Sequence, residues 1–329
     1  MGLPLPSRAS RQIFLTMPST TSSDATLDQP TRAGYVALVG RPNAGKSTLL
    51  NQFIGEKLSI VTAKAQTTWQ RVTGIRTTAT SQLIFLDTPG ILLARDLLQR
   101  SMLYEAIESI READVVLLLL DATHELGKNE LAGIKDALSY GSSPLFAAIN
   151  KVDRATPANL AALVDICRTE LGVDPVGISA KKGSGVEDLA KEIEAVLPEG
   201  PFLYPEDEIA SAPVRFFVAE LVRETIFQQY REEIPYSVFC QVEEYREEQD
   251  PLYIQVNLFA ERKSQKRILI GDKGSAIRKL GTAAREKIEH FVGRPVYLDL
   301  WVKVLPSWRR RRRDLTRFGL RVPEDHESD

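Results

Sequence analysis

The sequence predicts two consecutive α/β units: a larger one built on a mainly parallel sheet with helices on both faces, then a smaller one. Three observations carry this. Strand-sized apolar runs at 35–39, 83–86, 115–120 and 145–149 alternate with amphipathic stretches such as 97–110 and 160–171. Doubly buried strands separated by helices make parallel sheets. The first run leads through Gly40-Arg41-Pro42-Asn43-Ala44-Gly45-Lys46-Ser47 into Thr48-Leu49-Leu50, a G-x-x-x-x-G-K-S turn between strand and helix. Finally, Pro198, Pro201, Pro205 and Pro213 crowd a stretch that also carries Gly, Glu and Asp. Such density stiffens the chain and forbids helix, so a domain boundary falls near residue 200.

A chain of 329 residues exceeds one small core, and 43% apolar with 26% charged residues is ordinary for a globular protein. No apolar run approaches the ~20 residues a membrane helix needs. Two cysteines, Cys167 and Cys240, make neither a disulfide framework nor a metal site and read as buried thiols. Residues 1–33 are rich in Ser, Thr, Pro and Arg without periodicity, the mark of a disordered extension. Arg8 and Arg11 with few acids before Asp24 fit an organelle transit peptide; a start at Met17 explains them equally.

In parallel sheets, ligands bind at the carboxyl ends of the strands, and the motifs fall there. The first turn aims backbone N–H groups at the α- and β-phosphates of a nucleotide. Lys46 reaches the β- and γ-phosphates, and Ser47 supplies a hydroxyl to Mg²⁺. Asp87-Thr88-Pro89-Gly90 ends the run 83–86. Its carboxylate can hold Mg²⁺ through a water, and the Gly90 N–H can meet the γ-phosphate. Asn150-Lys151-Val152-Asp153 ends another run. The Asp153 carboxylate accepts from the guanine N1–H and amine that adenine lacks, while Asn150 can bond O6 and N7. Ser179-Ala180-Lys181 follows the short apolar 176–178, placing the Ala180 N–H for guanine O6.

After the prolines, a helix over 214–229 puts Phe217, Leu221 and Thr225 on one face. Residues 237–244 and 252–260 read as a strand pair. Near the end, Val296, Leu298, Leu300, Val302 and Val304 alternate with polar and aromatic residues as a half-buried strand. Between them a strand-like run, Ile268-Leu269-Ile270, feeds Gly271-Asp272-Lys273-Gly274. A helix with Ile277, Leu280, Ala284 and Ile288 follows. This resembles the G-x-x-G clamp of type II KH domains, which holds about four nucleotides of a single strand. Residues 262–321 hold 18 Lys/Arg against 5 Asp/Glu, whereas 206–261 hold 4 against 13. Basicity therefore gathers around the clamp, with Arg278 and Lys279, and in the tail, where Arg309, Arg310 and Arg311 beside Trp308 and Trp301 offer phosphate contacts and stacking. The expected partition is 34–200 nucleotide domain, 201–213 proline-rich linker, 214–305 KH domain and 306–329 basic tail.

The nucleotide motifs resemble those of the translation-factor-like GTPases, and of the Era and TrmE/EngA group in particular. A GTPase domain joined to a KH domain is the architecture of the Era family, and Arg231-Glu232-Glu233-Ile234-Pro235-Tyr236-Ser237 resembles a segment of that family. Neither the modification domain nor the C-terminal cysteine motif of TrmE is present. The resemblance makes the segment around Gln66-Thr67-Thr68-Trp69 the first switch, with Thr68, or Thr67 in the other register, closing on Mg²⁺ when GTP is bound. It makes Asn43 a candidate K⁺ ligand. It further implies a role in 30S subunit assembly, binding to the 3′ end of 16S rRNA, a cytoplasmic location and peripheral association with the inner membrane; we expect a monomer. One position departs from Ras: Ile91 stands where a glutamine orients the attacking water, so intrinsic hydrolysis is expected to be slow. The rival reading is an RNA-binding module whose nucleotide domain senses GTP with negligible turnover.

Overall fold

The computed structural model describes residues 30–323, apart from 63, 65, 92, 93 and 95. The transit-peptide expectation falls on residues outside this range, as does the end of the tail. Of the extension expected over 1–33, Arg32 and Ala33 instead belong to the first strand, β1 (Arg32–Gly40).

The first unit follows the order β1, α1 (Lys46–Ile54), β2 (Val72–Thr77), β3 (Ser81–Asp87), α2 (Leu97–Glu112), β4 (Val115–Asp121), α3 (Lys128–Leu138), β5 (Leu145–Asn150), α4 (Pro157–Ile166), β6 (Pro175–Gly177) and α5 (Val186–Val196). Its sheet runs β2-β3-β1-β4-β5-β6, with every pair parallel except β2 against β3. β4, with six consecutive buried residues, and β1 between its neighbours form the floor, covered by one apolar cluster on each face. Local chemistry starts the helices. Asp96 accepts from the Gln99 N–H to open α2, and Thr156 accepts from Asn159 just before Pro157 at the first turn of α4. β2, at the edge, is a strand the sequence reading did not name; it mixes buried and half-buried residues without an apolar run.

Residues 201–213 are not a free linker. They lie along β2 and β3: the Ile75 N–H donates to Ile209 O (2.9 Å), Ala210 bridges Gly74, and Gln82 bonds Leu203 and Tyr204. Prolines exclude helix yet suit an extended segment at a sheet edge.

The second unit contains α6 (Val214–Gln229), α7 (Ile234–Ser237), β7 (Val238–Arg246), β8 (Leu252–Ala260), α8 (Lys263–Ile270), α9 (Ser275–Val292) and β9 (Val296–Val304). β7 pairs antiparallel and β9 parallel with the central β8. One face of this sheet packs on α6, α8 and α9 through Val218, Val222, Ile226, Leu269, Leu280, Ala284 and Ile288. On α6 the core stripe is thus Val218, Val222 and Ile226 rather than Phe217, Leu221 and Thr225. Phe217 instead joins the core of the first unit, and α6 is buried nearly all round because it is shared.

Two expectations are corrected here. Ile268-Leu269-Ile270 ends α8 and is not a strand. Three apolar residues carry no period, and the helix opens when the Arg262 N–H donates to the Gln265 side chain (2.9 Å). Nor do residues 306–323 of the expected basic tail stand off the domain. A 3-10 turn at Trp308–Arg310 and α10 (Arg312–Arg317) fold onto the sheet's other face and onto α2. Trp308 is fully buried among Trp69, Phe239 and Phe318, so it is no stacking platform.

Candidate nucleotide site and nucleic-acid groove

A cleft of about 470 Å³ opens at the carboxyl ends of β1, β3 and β5. The phosphate turn (Pro42, Asn43, Gly45, Lys46, Ser47, Thr48), the first switch (Gln66, Thr67, Thr68), Gly90, and the base loops (Asn150, Lys151, Asp153, Ser179, Lys181) all line it. The four motifs, spread over 142 positions from Gly40 to Lys181, therefore meet at one place.

At its floor Ser47 Oγ donates to Asp87 Oδ2 (2.7 Å) and lies 3.2 Å from Thr68 Oγ1. Of the two threonines left open by the sequence, Thr68 is buried and joins this oxygen cluster. Asp87 is completely buried and its Oδ1 has no hydrogen-bond partner among the described residues. Burial pushes its carboxyl above the usual range, against the pull of Lys46 and the Ser47 bond. The Lys46 ammonium donates to Gly40 O and Arg41 O (both 3.1 Å), and burial draws its pKa down to about 8 although Asp87 opposes this.

Not every motif residue faces the cleft. Thr88 Oγ1 donates to Leu38 O (2.7 Å) inside the sheet, and Arg41 pairs with Glu130 (2.6 Å). Asn150 has a role the sequence reading did not include. Its side chain donates to Ala44 O (2.8 Å) and accepts from the N–H groups of Lys151 (2.8 Å) and Ala180 (2.9 Å), so it knots three loops together while still lining the cleft. Gly45 permits this approach: at φ +104°, a Cβ there would sit 2.2 Å from the Asn150 amide nitrogen. Asp153 also lines the cleft. It accepts from Ser179 Oγ (2.8 Å) and pairs with Lys182 (3.3 Å), and the Ser179 bond helps hold it ionised below the usual range.

Sequence reasoning missed Asp121. Lys151 Nζ donates to its Oδ2 (2.6 Å) and to Asn43 O (2.7 Å), a strut between the base loop and the phosphate turn. Burial would raise the Asp121 carboxyl, but the bonds from Lys151 and Thr123 outweigh it and the net shift is downward. The signal was its place at the end of β4, in register with Asn150.

In the second unit, the glycine clamp closes a groove between α9 and the edge strand β9, lined by Gly274, Ile277, Arg278, Gly281, Thr282, Arg285, Leu298 and Leu300. Gly271 (φ +71°) packs so tightly that a Cβ would meet the Ala276 Cβ at 2.6 Å, whereas Gly274 (φ +79°) faces open space. Asp272 and Lys273 are exposed between them, and Lys273 itself adopts a positive φ. Lys279 is exposed but is not part of the groove lining. Ile277, Gly281 and Arg285, spaced four apart on α9, are groove residues the sequence reading overlooked. Arg309, Arg310 and Arg311 lie in the folded C-terminal segment across the sheet from this groove. Arg309 is held by Glu261 (2.9 Å).

The fold and its two sites define a P-loop GTPase domain joined to a KH domain. Residues 35–151 match the 50S ribosome-binding GTPase family and residues 233–309 the KH domain family. The chain belongs to the GTPase Era family. It is 40% identical over 295 residues to the GTPase Era of Halothermothrix orenii, covering 88% of this chain and 98% of that one. It is also 40% identical over 314 residues to that of Synechocystis sp., covering 94% and 99%. A crystal structure of an Aquifex aeolicus Era variant bound to GDP·AlF4⁻ superimposes with a TM-score of 0.84 at 40% identity, over 89% of this chain and all of that one. The same values hold for a crystal structure of Era in complex with MgGDPNP and nucleotides 1506–1542 of 16S ribosomal RNA.

Proposed function

We propose that this GTPase is a switch that binds 16S rRNA near its 3′ end through the KH groove and acts in 30S subunit assembly. One observation carries the reading. The oxygen cluster beside the phosphate turn and the glycine clamp above a basic groove occur in one chain, over the span shared with a relative crystallised with MgGDPNP and 16S nucleotides 1506–1542.

The cluster fits a hard divalent cation. Ser47 Oγ, Thr68 Oγ1 and the unpartnered Asp87 Oδ1 are all oxygens, the donor type Mg²⁺ takes. No group of three His, Cys, Asp or Glu side chains able to hold a metal occurs among the described residues, so the ion would arrive with its nucleotide. Ser47 and Thr68 would hold it directly and Asp87 through a water. Once bound, it neutralises charge on the β- and γ-phosphate oxygens. Lys46, now bonded to two carbonyls, would exchange them for phosphate oxygens, which restore its full charge. Asp153 selects guanine, and Gly90 offers its N–H to the γ-phosphate. Ile91 supplies no side chain to orient water, and its own N–H is bonded to Gly40 O (3.0 Å). Turnover is therefore slow until RNA or a partner completes the site.

The test is single-turnover GTP hydrolysis with and without a 16S 3′-end oligonucleotide. Stimulation is expected. Its absence would favour the rival reading of a GTP sensor with negligible turnover. Running the same assay in Na⁺ and K⁺ buffers tests Asn43 as a K⁺ ligand, with faster turnover in K⁺ expected. We place the protein in the cytoplasm as a monomer in peripheral contact with the membrane. Sedimentation and vesicle flotation test this; no described helix is long and apolar enough to cross a bilayer.

A further inference from the structure

We propose that Trp69 is a positioning residue for Thr68: the KH domain and the C-terminal segment hold the switch threonine at the phosphate turn by gripping the indole next to it. The proposal rests on the reading of Thr68 as the threonine that meets the metal and the γ-phosphate.

Trp69 is 3% exposed; Leu98 and Met102 of α2 share its apolar cluster, and the aromatic and cationic side chains against its ring come from outside the nucleotide domain. The Arg223 guanidinium of α6 lies 4.7 Å from the ring centroid. Trp308 of the C-terminal turn is 5.7 Å away, and Phe239 of β7 is 6.2 Å away. Each partner is itself fixed. Arg223 is buried and bonds Glu220 (2.8 Å from Nε), with its Nη1 unpartnered among the described residues. Glu220 holds the guanidinium through both Nε and Nη2, and the rings of Trp69 and Phe227 lie against it. Trp308 donates its indole N–H to Ser237 O (3.1 Å).

The flanking residues are tied to the same bodies. Lys64 donates to Phe227 O and Tyr230 O at the carboxyl end of α6, where the helix dipole favours a cation. Gln70 donates its amide to Phe318 O (2.8 Å). The Trp69 indole N–H closes the loop internally on Gln66 O (3.0 Å). Thr68 thus stands between anchors on α6 and anchors on the C-terminal segment, one residue from the gripped ring. Its 3.2 Å approach to Ser47 has little slack, because about 0.5 Å of retreat takes such a contact out of hydrogen-bond range. α6 in turn reaches the back of the RNA groove: Lys287 of α9 bonds Glu224 (2.8 Å) and Gln228 (2.7 Å). A ring that merely sealed the interface would stabilise the fold without distinguishing GTP from GDP. A positioning residue distinguishes them, because only the triphosphate uses Thr68.

The experiment measures dissociation constants of the full chain for a fluorescent GDP and a non-hydrolysable GTP analogue across a Mg²⁺ titration, with melting temperatures alongside. In Trp69→Ala, GDP affinity is expected to stay within about twofold. Analogue affinity falls about tenfold, the scale of one lost bond to a charged group, and the Mg²⁺ midpoint rises with it. Trp69→Phe recovers most of the loss. Thr68→Ala shows the same loss, and adding Trp69→Ala to it costs nothing more. Where Trp69→Ala does not fold, Arg223→Met, which keeps the indole and removes the cation against it, is read the same way with a smaller expected loss. Equal losses for both nucleotides, an unchanged analogue affinity, or additive losses would overturn the proposal. If Thr68→Ala itself has no effect, the reading of Thr68 falls and the proposal with it. If Thr68→Ala shows the loss and Trp69→Ala does not, only the proposal falls.

Discussion

Replacing Gly274 with Asp separates RNA binding from folding, and the two glycines of the clamp show why. A side chain at Gly271 meets the Ala276 Cβ at 2.6 Å and its backbone nitrogen at 2.8 Å, in a conformation (φ 71°, ψ 177°) that only glycine adopts readily. Gly271→Ala should therefore cost the fold roughly 2–4 kcal/mol. Gly274 is different. Its φ of 79° and ψ of 16° are left-handed, a region Asp tolerates for about 1 kcal/mol, and the nearest atom to a Cβ is Ile277 Cγ2 at 4.0 Å. The added carboxylate would stand beside Lys273, where a backbone phosphate is to be held. At about 5 Å and an effective dielectric constant of 20 to 80, the repulsion is about 1–3 kcal/mol, or roughly 5- to 150-fold in affinity. Fluorescence anisotropy with a labelled single strand from the 3′ end of 16S rRNA reads this directly. The salt dependence should also flatten by about 0.7 in log–log slope for each phosphate the groove no longer holds. Guanine nucleotide affinity should not change, since the clamp contributes nothing to that cleft. RNA affinity within twofold of the parent protein would refute the assignment of the groove, and a parallel loss of nucleotide affinity would refute the separation.

Asp153→Asn should exchange guanine for xanthine preference in competition binding, with GTP affinity down about a hundredfold, because the proposed recognition of the guanine N1–H and amine needs a carboxylate in the cleft lining at this position. Lys46 titrates at about 8 in the nucleotide-free protein, below its ordinary 10.5. The protonated form binds phosphate, so affinity should be flat below pH 7 and fall by up to tenfold per unit above 8, with proton uptake visible by calorimetry in buffers of different ionisation enthalpy. Glu224, buried between Lys57 (2.7 Å) and Lys287 (2.8 Å), has its carboxyl held below the usual range by these bonds, which outweigh its burial. That contribution is present above its unfolded value and lost as pH falls through its folded one. Glu224→Ala should cost about 1–3 kcal/mol at neutral pH in denaturant unfolding and less at pH 3. Burial pushes the Cys167 thiol up to about 11 and Cys240 higher still, so neither should react with a thiol reagent at pH 7 until the protein unfolds.

The phosphate turn, the Asp-Thr-Pro-Gly turn and the guanine loops were legible because each packs its chemistry into a few adjacent residues at a strand end, with spacing imposed by the ligand. The residues that misled were those whose role is set by chain far away. Trp308 beside five arginines reads as a stacking surface, and nothing local says that Trp69, some 240 positions earlier, buries it. Asn150 carries amide groups suited to a base, and nothing local says that they also tie Ala44 and Ala180 together once three loops converge. The prolines of 201–213 correctly exclude helix, but exclusion is not freedom, because an extended proline-rich strip is also what pairs with the edge of β2. The same asymmetry holds for α6. Its pattern shows a helix with an apolar side, whereas the structure buries Phe217 in one core and Val222 in the other and sends Arg223 and Glu224 back toward the nucleotide domain. A helix that is core to both units is the element through which a change at one would reach the other. We expect RNA affinity measured with GTP and with GDP bound to differ for that reason, and equal affinities would refute it.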